Sequence, residues 1–440
     1  MKKLLSLLLA LVLCFGFTSC IAAHVDHTDY FVAKAAPKME AAYSDYAQRE
    51  FTAFLEKLDA FAAKLTAEVY ADSDKQTNIC ISPVSVYMAL ALTVECTEGD
   101  SRAEILDAVG VSYDEVKSFT KLLYALANRE FGYENRLGQE KLAAFEELAN
   151  SVWADDGVSL KDAGVQNLAE NYNADLFRVD FGSNEGERAI ADYIEDKTHG
   201  LIDGKIELPA STLITLINTF YLKDVWNTDG DDLPFTKESY EFENANGSTV
   251  KKKLLEGYYF SGKAYEGEGY TSFYTRTDHW FTIKFLVPDE GRTLEEVFTA
   301  ESIYAMNNVS DYGYRDDENE LLHHTRVLFP EYSASFDGGL AAVLREDFGI
   351  EKVFSEEESD FSGITDAVVY VSDVIHKCEL KVNKRGIEGA AVTAVVGDGA
   401  GDPGSYTRVY HDFIVDRAFG FVITDSYGNV LFSGAVNHIK

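Results

Sequence analysis

The stretch Gly386-Ile387-Glu388-Gly389-Ala390-Ala391-Val392-Thr393-Ala394-Val395-Val396 is built almost wholly from small or β-branched residues, with one charge and no proline. It follows an alternating run, Lys377 to Asn383, that reads as a strand, and it leads into a Gly/Asp/Pro-rich segment at 397–404. Such a stretch has high β propensity, and Ile387, Gly389, Ala391, Thr393 and Val395 fall on one face at period two. No set of side chains in it is suited to catalysis. Left exposed, it would invite aggregation. It is either an ordinary core strand or a segment whose capacity to become a strand is its function.

The chain has 440 residues and a formal charge of −35. That charge argues against nucleic acid and against acidic membrane surfaces, both of which need basic patches. The one basic run, Lys251-Lys252-Lys253, reads as a solvated strand edge. Residues 1–19 read as a signal peptide: Lys2 and Lys3, then an apolar run from Leu4 to Phe17 that is short for a membrane span. Phe17-Thr18-Ser19-Cys20 is similar to a bacterial lipobox, with Cys20 the lipidation candidate; ordinary cleavage near Ala22 or Ala23 is the alternative. Either route places the protein outside the cytoplasm, secreted or lipid-anchored at a bacterial surface, and the lipid would be its only membrane contact. Cys80, Cys96 and Cys378 lie among apolar neighbours and are expected as buried free thiols rather than a disulfide.

Residues 20–45 lack stable periodicity and read as a flexible tether. From residue 46 to 440 no repeat or long linker divides the chain, so one α+β domain and a monomer are expected. Phe51, Phe54, Leu55, Leu58, Phe61, Leu65 and Val69 recur at helical spacing. Ser82-Pro83 opens a helix that is apolar almost all round, with Ser82 as its cap. Further helices are expected at 113–129, 139–148, 160–171, 188–198 and 336–348. Strands dominate the second half, notably 212–223, 281–288, 325–331, 368–383, 413–415, 419–425 and 430–436, with Tyr427-Gly428-Asn429 turning the last pair.

Enzyme constellations are missing from the sequence. It contains no nucleophile elbow, zinc-protease motif, P-loop or complete dinucleotide fingerprint, so neither catalysis nor a cofactor or metal is expected. Gly397-Asp398-Gly399-Ala400-Gly401 is glycine-rich, but its aspartate would repel phosphate. Asp229-Gly230-Asp231-Asp232 lacks calcium-loop spacing and reads as a solvated turn.

Several segments, in order, resemble the serpin family of protease inhibitors. They are Asn78-Ile79-Cys80-Ile81-Ser82-Pro83-Val84-Ser85-Val86, Leu216 to Trp226, Phe348 to Phe354 with Asp360 to Ile364, Val374 to Cys378 leading into Val382 to Ala391, and Phe413 to Phe421 with Leu431 to Val436. Any one is weak; five in register span roughly residues 46–440. The resemblance implies helices packed around a large central β-sheet plus two smaller sheets, with an exposed reactive-centre loop.

It also implies a mechanism. Gly386, Ile387, Glu388, Gly389, Ala390, Ala391, Val392 and Thr393 would form the hinge of that loop. A target serine protease would attack the loop as substrate and form a covalent acyl-enzyme, after which the cut loop would insert into the sheet as a new strand. About fifteen residues at ~3.3 Å each would carry the protease roughly 50 Å. Light side chains suit such a passage, and Glu388 would face outward. By the same resemblance Ser82, Ser85, Asn218 and His376 match the shutter, a polar cluster beneath the strands that part, and Trp226 marks the breach where insertion begins. Lys384, Ile387, Gly389 and Ala418 depart from the family's usual Glu, Thr or Ser, Ala and Pro. The β-branch of Ile387 is expected to slow insertion.

Counting along the loop puts the reactive bond at Ala400–Gly401, with Val396, Tyr406 and Arg408 as alternatives to Ala400. A small residue there implies an elastase-like or subtilisin-like target. The competing readings are a non-inhibitory serpin acting as a binding protein, and a ligand-binding surface lipoprotein.

Overall fold

Apolar residues at helical spacing make Arg49–Asp72 a 24-residue helix that buries Phe51, Phe54, Leu58, Phe61, Leu65 and Val69. The computed structural model describes residues 26–134, 140–206, 208–209, 211–226, 232–387 and 406–440. The signal peptide, Cys20, Glu388 to Thr393, Ala400 and Gly401 therefore lie outside the described residues. A second helix, Pro83–Cys96, is apolar almost all round and almost wholly buried. It packs against both the main sheet and the second sheet. Among the described residues no helix is long and apolar enough to cross a membrane.

The main sheet runs Phe31–Ala33, Ala174–Val179, Glu140–Asp155, Ile214–Val225, Gly386–Ile387, Ile375–Asn383 and Tyr332–Gly339, with Glu130–Glu134 also paired to the third of these. A second sheet runs Tyr265–Glu266, Tyr270–Arg276, Thr282–Pro288, Phe419–Thr424, Val430–Val436 and Ile79–Ile81. A third joins Arg315–Asp316, Leu321–Phe329, Thr407–Ile414 and Leu255–Ser261, and Tyr240–Glu243 pairs with Thr249–Lys252 apart from these. The architecture is α+β, with helices around one large sheet.

Some local expectations fail; the strand expected at 368–383, for one, begins only at Ile375. The run at 139–148, rich in Ala, Leu and Glu, was expected to be helical, but Glu140–Asp155 is a strand paired on both sides. Sheet partners outweigh a propensity difference of only tenths of a kcal/mol per residue. The helix expected at 336–348 begins only at Ala341, because Tyr332–Gly339 continues as a strand against Ile375–Asn383. The segment expected as a tether is packed from Asp26 onward. Phe31 stacks on Phe177 at 4.6 Å, Phe31–Ala33 pairs with the sheet edge, and His27 Nδ1 lies 2.7 Å from Asp192 Oδ2.

Candidate functional site

The site lies at the centre of the main sheet. Ile214–Val225 and Ile375–Asn383 are parallel to each other, and among the described residues no ladder joins them directly. Among the described residues Gly386–Ile387 lies between them, antiparallel to both: Gly386 pairs with Val225 and Asn383, Ile387 with Asp224 and Val382. Gly386 has φ +152°, and an added Cβ would collide with the Asp224 carbonyl, so glycine is required there. Ile387 is fully buried. Its apolar side chain fits this position, where the family's usual Thr or Ser would need a hydrogen-bond partner.

Trp226 holds the turn that feeds this short strand. Its indole Nε1–H donates to the Asn383 carbonyl at 2.7 Å, and its backbone N–H donates to the Arg385 carbonyl at 3.2 Å. The ring is buried edge-on to Phe329. Lys384 Nζ lies 2.6 Å from Asp232 Oδ2, while its backbone N–H donates to Glu331 Oε1 at 2.8 Å. This Lys384–Asp232 pair is half exposed and of small energetic weight.

Beneath the turn, Asp224 is fully buried and accepts from the N–H of Val225 and the N–H of His279. His279 Nδ1 lies 2.8 Å from Asp224 Oδ1. Burial alone would depress this imidazole, but the Asp224 hydrogen bond and charge outweigh it and raise the pKa above the usual range. Neither residue was picked out in the sequence, where nothing relates positions 224 and 279.

The four shutter candidates divide into two groups. On one side the Ser82 backbone N–H donates to His376 Nε2 at 3.1 Å. An accepting Nε2 makes the ring neutral, and burial pushes its pKa down to about 4. Ser82 makes no side-chain cap on its helix, contrary to expectation, and its Oγ has no partner. Ser85 is buried one helical turn on. On the other side Asn218 Nδ2 donates to Asn150 Oδ1 and, at 3.2 Å, to the Ala149 carbonyl, leaving Asn218 Oδ1 and the neighbouring Thr219 Oγ1 without partners. Asn150 in turn donates to the Tyr172 carbonyl at 2.7 Å. Ser82 Oγ, Asn218 Oδ1 and Thr219 Oγ1 are thus three buried oxygens without a hydrogen-bond partner. Asn150 is not marked by local pattern: it lies in a stretch that reads as a strand, and only its pairing with Asn218 gives it a role.

The far end of the loop is anchored in the third sheet. Arg408 pairs with Leu322 in a parallel ladder, and the Tyr406 hydroxyl accepts from Arg315 Nη2 at 2.6 Å. Of the three alternatives to Ala400, Tyr406 and Arg408 are thus held in structure, and Val396 lies outside the described residues.

The family model for serpins (serine protease inhibitor) matches residues 56–439, so the chain belongs to the serpin family. It is 28% identical over 333 residues to serpin A3-1 of Bos taurus, covering 72% of this chain and 74% of that protein. It is 26% identical over 378 residues to alpha-1-antitrypsin of Meriones unguiculatus, covering 83% and 85%. In fold it is similar to the thermophilic serpin tengpin in its native state, at TM-score 0.69 and 22% identity, covering 92% of this chain and 98% of that one. The family is one of protease inhibitors that act on serine proteases, not of catalysts.

Proposed function

We propose that the chain is a suicide-substrate inhibitor of extracellular serine proteases, working by insertion of residues 386–400 into the main sheet. The observation that carries this reading is the pairing of Gly386 and Ile387 with both Ile214–Val225 and Ile375–Asn383. Continued in the same register, Gly389 falls between Leu222 and Leu380, Ala391 between Phe220 and Cys378, and Thr393 between Asn218 and His376. The inward side chains of Ile375–Asn383 are His376, Cys378, Leu380 and Val382. The loop residues meeting them are Thr393, Ala391, Gly389 and Ile387, so each inward arrival is light or apolar. Glu388 and Ala390 face outward. The Thr393 hydroxyl arrives level with Asn218, whose Oδ1 lacks a donor.

The protease supplies the chemistry. Its serine Oγ attacks the Ala400 carbonyl, its histidine takes the hydroxyl proton and returns it to the leaving amine of Gly401, and the acyl-enzyme remains on Ala400. Insertion then drags the acyl-enzyme away before water completes hydrolysis. Ala400 suits the small first pocket of an elastase-like or subtilisin-like target. The N-terminal leader supports export, with Cys20 as the point of lipid attachment and the inhibitor acting as a monomer.

The test is a denaturing gel of the protein incubated with pancreatic elastase or subtilisin. A stable band near the summed masses is expected. Complete cleavage without that band, with both enzymes, would favour a non-inhibitory member that acts as a binding protein. Ala400→Arg should lose the elastase complex and gain one with trypsin; no change in either places the scissile bond elsewhere.

A further inference from the structure

We propose that Cys80 and Cys378 are a disulfide site that staples one border of the insertion space to the layer beneath it. Their Sγ atoms lie 3.3 Å apart although 298 residues separate them in sequence. Both are buried, in different sheets: Cys80 in Ile79–Ile81, paired with Gly434, and Cys378 in Ile375–Asn383, paired with Phe336. A second contact fixes the same crossing. Two residues along each strand, the Ser82 N–H meets His376 Nε2 at 3.1 Å. The sulfur pair is thus set by backbone placement at two successive positions. About 1.3 Å of approach brings the sulfurs to the ~2.05 Å of a bond. Cys96, the other buried thiol of the folded domain, makes no such pair among the described residues.

The reaction needs an oxidant, and a disulfide such as glutathione disulfide or the active-site disulfide of an oxidoreductase serves. One cysteine thiolate attacks it, forming a mixed disulfide and releasing one thiolate. The second cysteine thiolate attacks the mixed disulfide, forming Cys80–Cys378 and releasing the other. Two electrons pass from the cysteine pair to the oxidant, and the two cysteine protons end on the two released thiols. Burial raises the Cys80 thiol well above its usual range, with Cys378 adding to the effect, so the closed fold reacts slowly. The bond forms while the chain folds in an oxidising compartment, or during opening of the sheet. Once formed, it fixes Ile375–Asn383 to the segment that leads into Pro83–Cys96. Under the loop-insertion reading, the opposite border, Ile214–Val225, is then the one that moves.

The full chain is refolded in glutathione buffers of graded potential, blocked with iodoacetamide, digested without reduction and mapped by mass. A peptide pair joining Cys80 to Cys378, two hydrogens lighter than the sum of the free peptides, is expected, with Cys96 alkylated after denaturation. The oxidised protein should unfold several degrees higher than the reduced one, and Cys378→Ala should abolish both the link and the shift. If Cys378→Ala does not fold, Cys80→Ala serves, and the mass test on the unaltered chain stands alone. Alkylation of both cysteines in every oxidising buffer, or pairing of either with another cysteine, would overturn the proposal. Because the link is read by mass, its absence leaves loop insertion untouched, and a failure to trap protease leaves the link untouched.

Discussion

Asp224 and His279 are joined at 2.8 Å directly beside the ladder position where Ile387 meets the main sheet. One residue is on Ile214–Val225 of the main sheet and the other is in the turn before Thr282–Pro288 of the second sheet. Their contact couples the two sheets at the point where Gly386–Ile387 pairs with Ile214–Val225.

A pH dependence follows from this contact. The raised pKa of His279 means its protonated form is favoured in the folded state. Its contribution is fully present below about pH 6.5, the ordinary imidazole value, and is lost as pH rises through the raised folded value. Thermal midpoints measured from pH 6 to 9 should fall for this reason, and the fall should be smaller in His279→Gln. That variant should also lose about 2–3 kcal/mol at pH 6, because it leaves a buried carboxylate short of a charged partner. Equal slopes in the two proteins would remove the contact from the account.

His376 titrates in the opposite sense. Its folded pKa is pushed down to about 4, so the unfolded chain takes up a proton at a higher pH than the native one. Stability from this group is present above about pH 6.5 and falls as pH drops towards 4, by up to about 3 kcal/mol. Urea titrations at pH 7 and pH 4.5 should show the loss, and His376→Gln should lessen it.

Trp226→Phe keeps a ring against Phe329 but removes the indole donor to the Asn383 carbonyl. A cost of about 1–2 kcal/mol is expected from the unpaired carbonyl. The same variant should lose its native form faster on warming, since the turn that restrains Gly386 is loosened. A midpoint equal to that of the parent protein would show that the bond contributes nothing.

The N-terminal segment should contribute to stability. Phe31→Ala removes the stack on Phe177 and should cost about 1–2 kcal/mol, given that Phe31 is only half buried. Chemical denaturation reads this directly, and a free tether would show no change.

Much of this was legible in the sequence because it rests on short-range pattern. The strand over Lys377–Asn383, the largely apolar helix after Ser82-Pro83 and the strand that ends at Val225 are each stated by local pattern. What was hidden depends on partners far along the chain. The run at 139–148 reads as a helix by composition and becomes the first part of the strand Glu140–Asp155 through Glu130–Glu134 on one side and Ile214–Val225 on the other. Asn150, Asp224, His279 and Asp232 acquire meaning only from neighbours that no spacing rule relates to them. His27 and Phe31 were too sparse to signal a strand, yet an existing sheet edge is enough to order them.

The central claim is that Gly386–Ile387 is the start of a strand that the loop completes once cut. Limited cleavage of the loop with elastase or subtilisin, followed by thermal unfolding of the intact and cleaved proteins, tests it most directly. Insertion adds a strand with ladder bonds on both sides, each worth about 1 kcal/mol, so the cleaved form should unfold at least roughly 10 °C above the intact one. A cleaved form that unfolds at the same temperature or lower would contradict insertion.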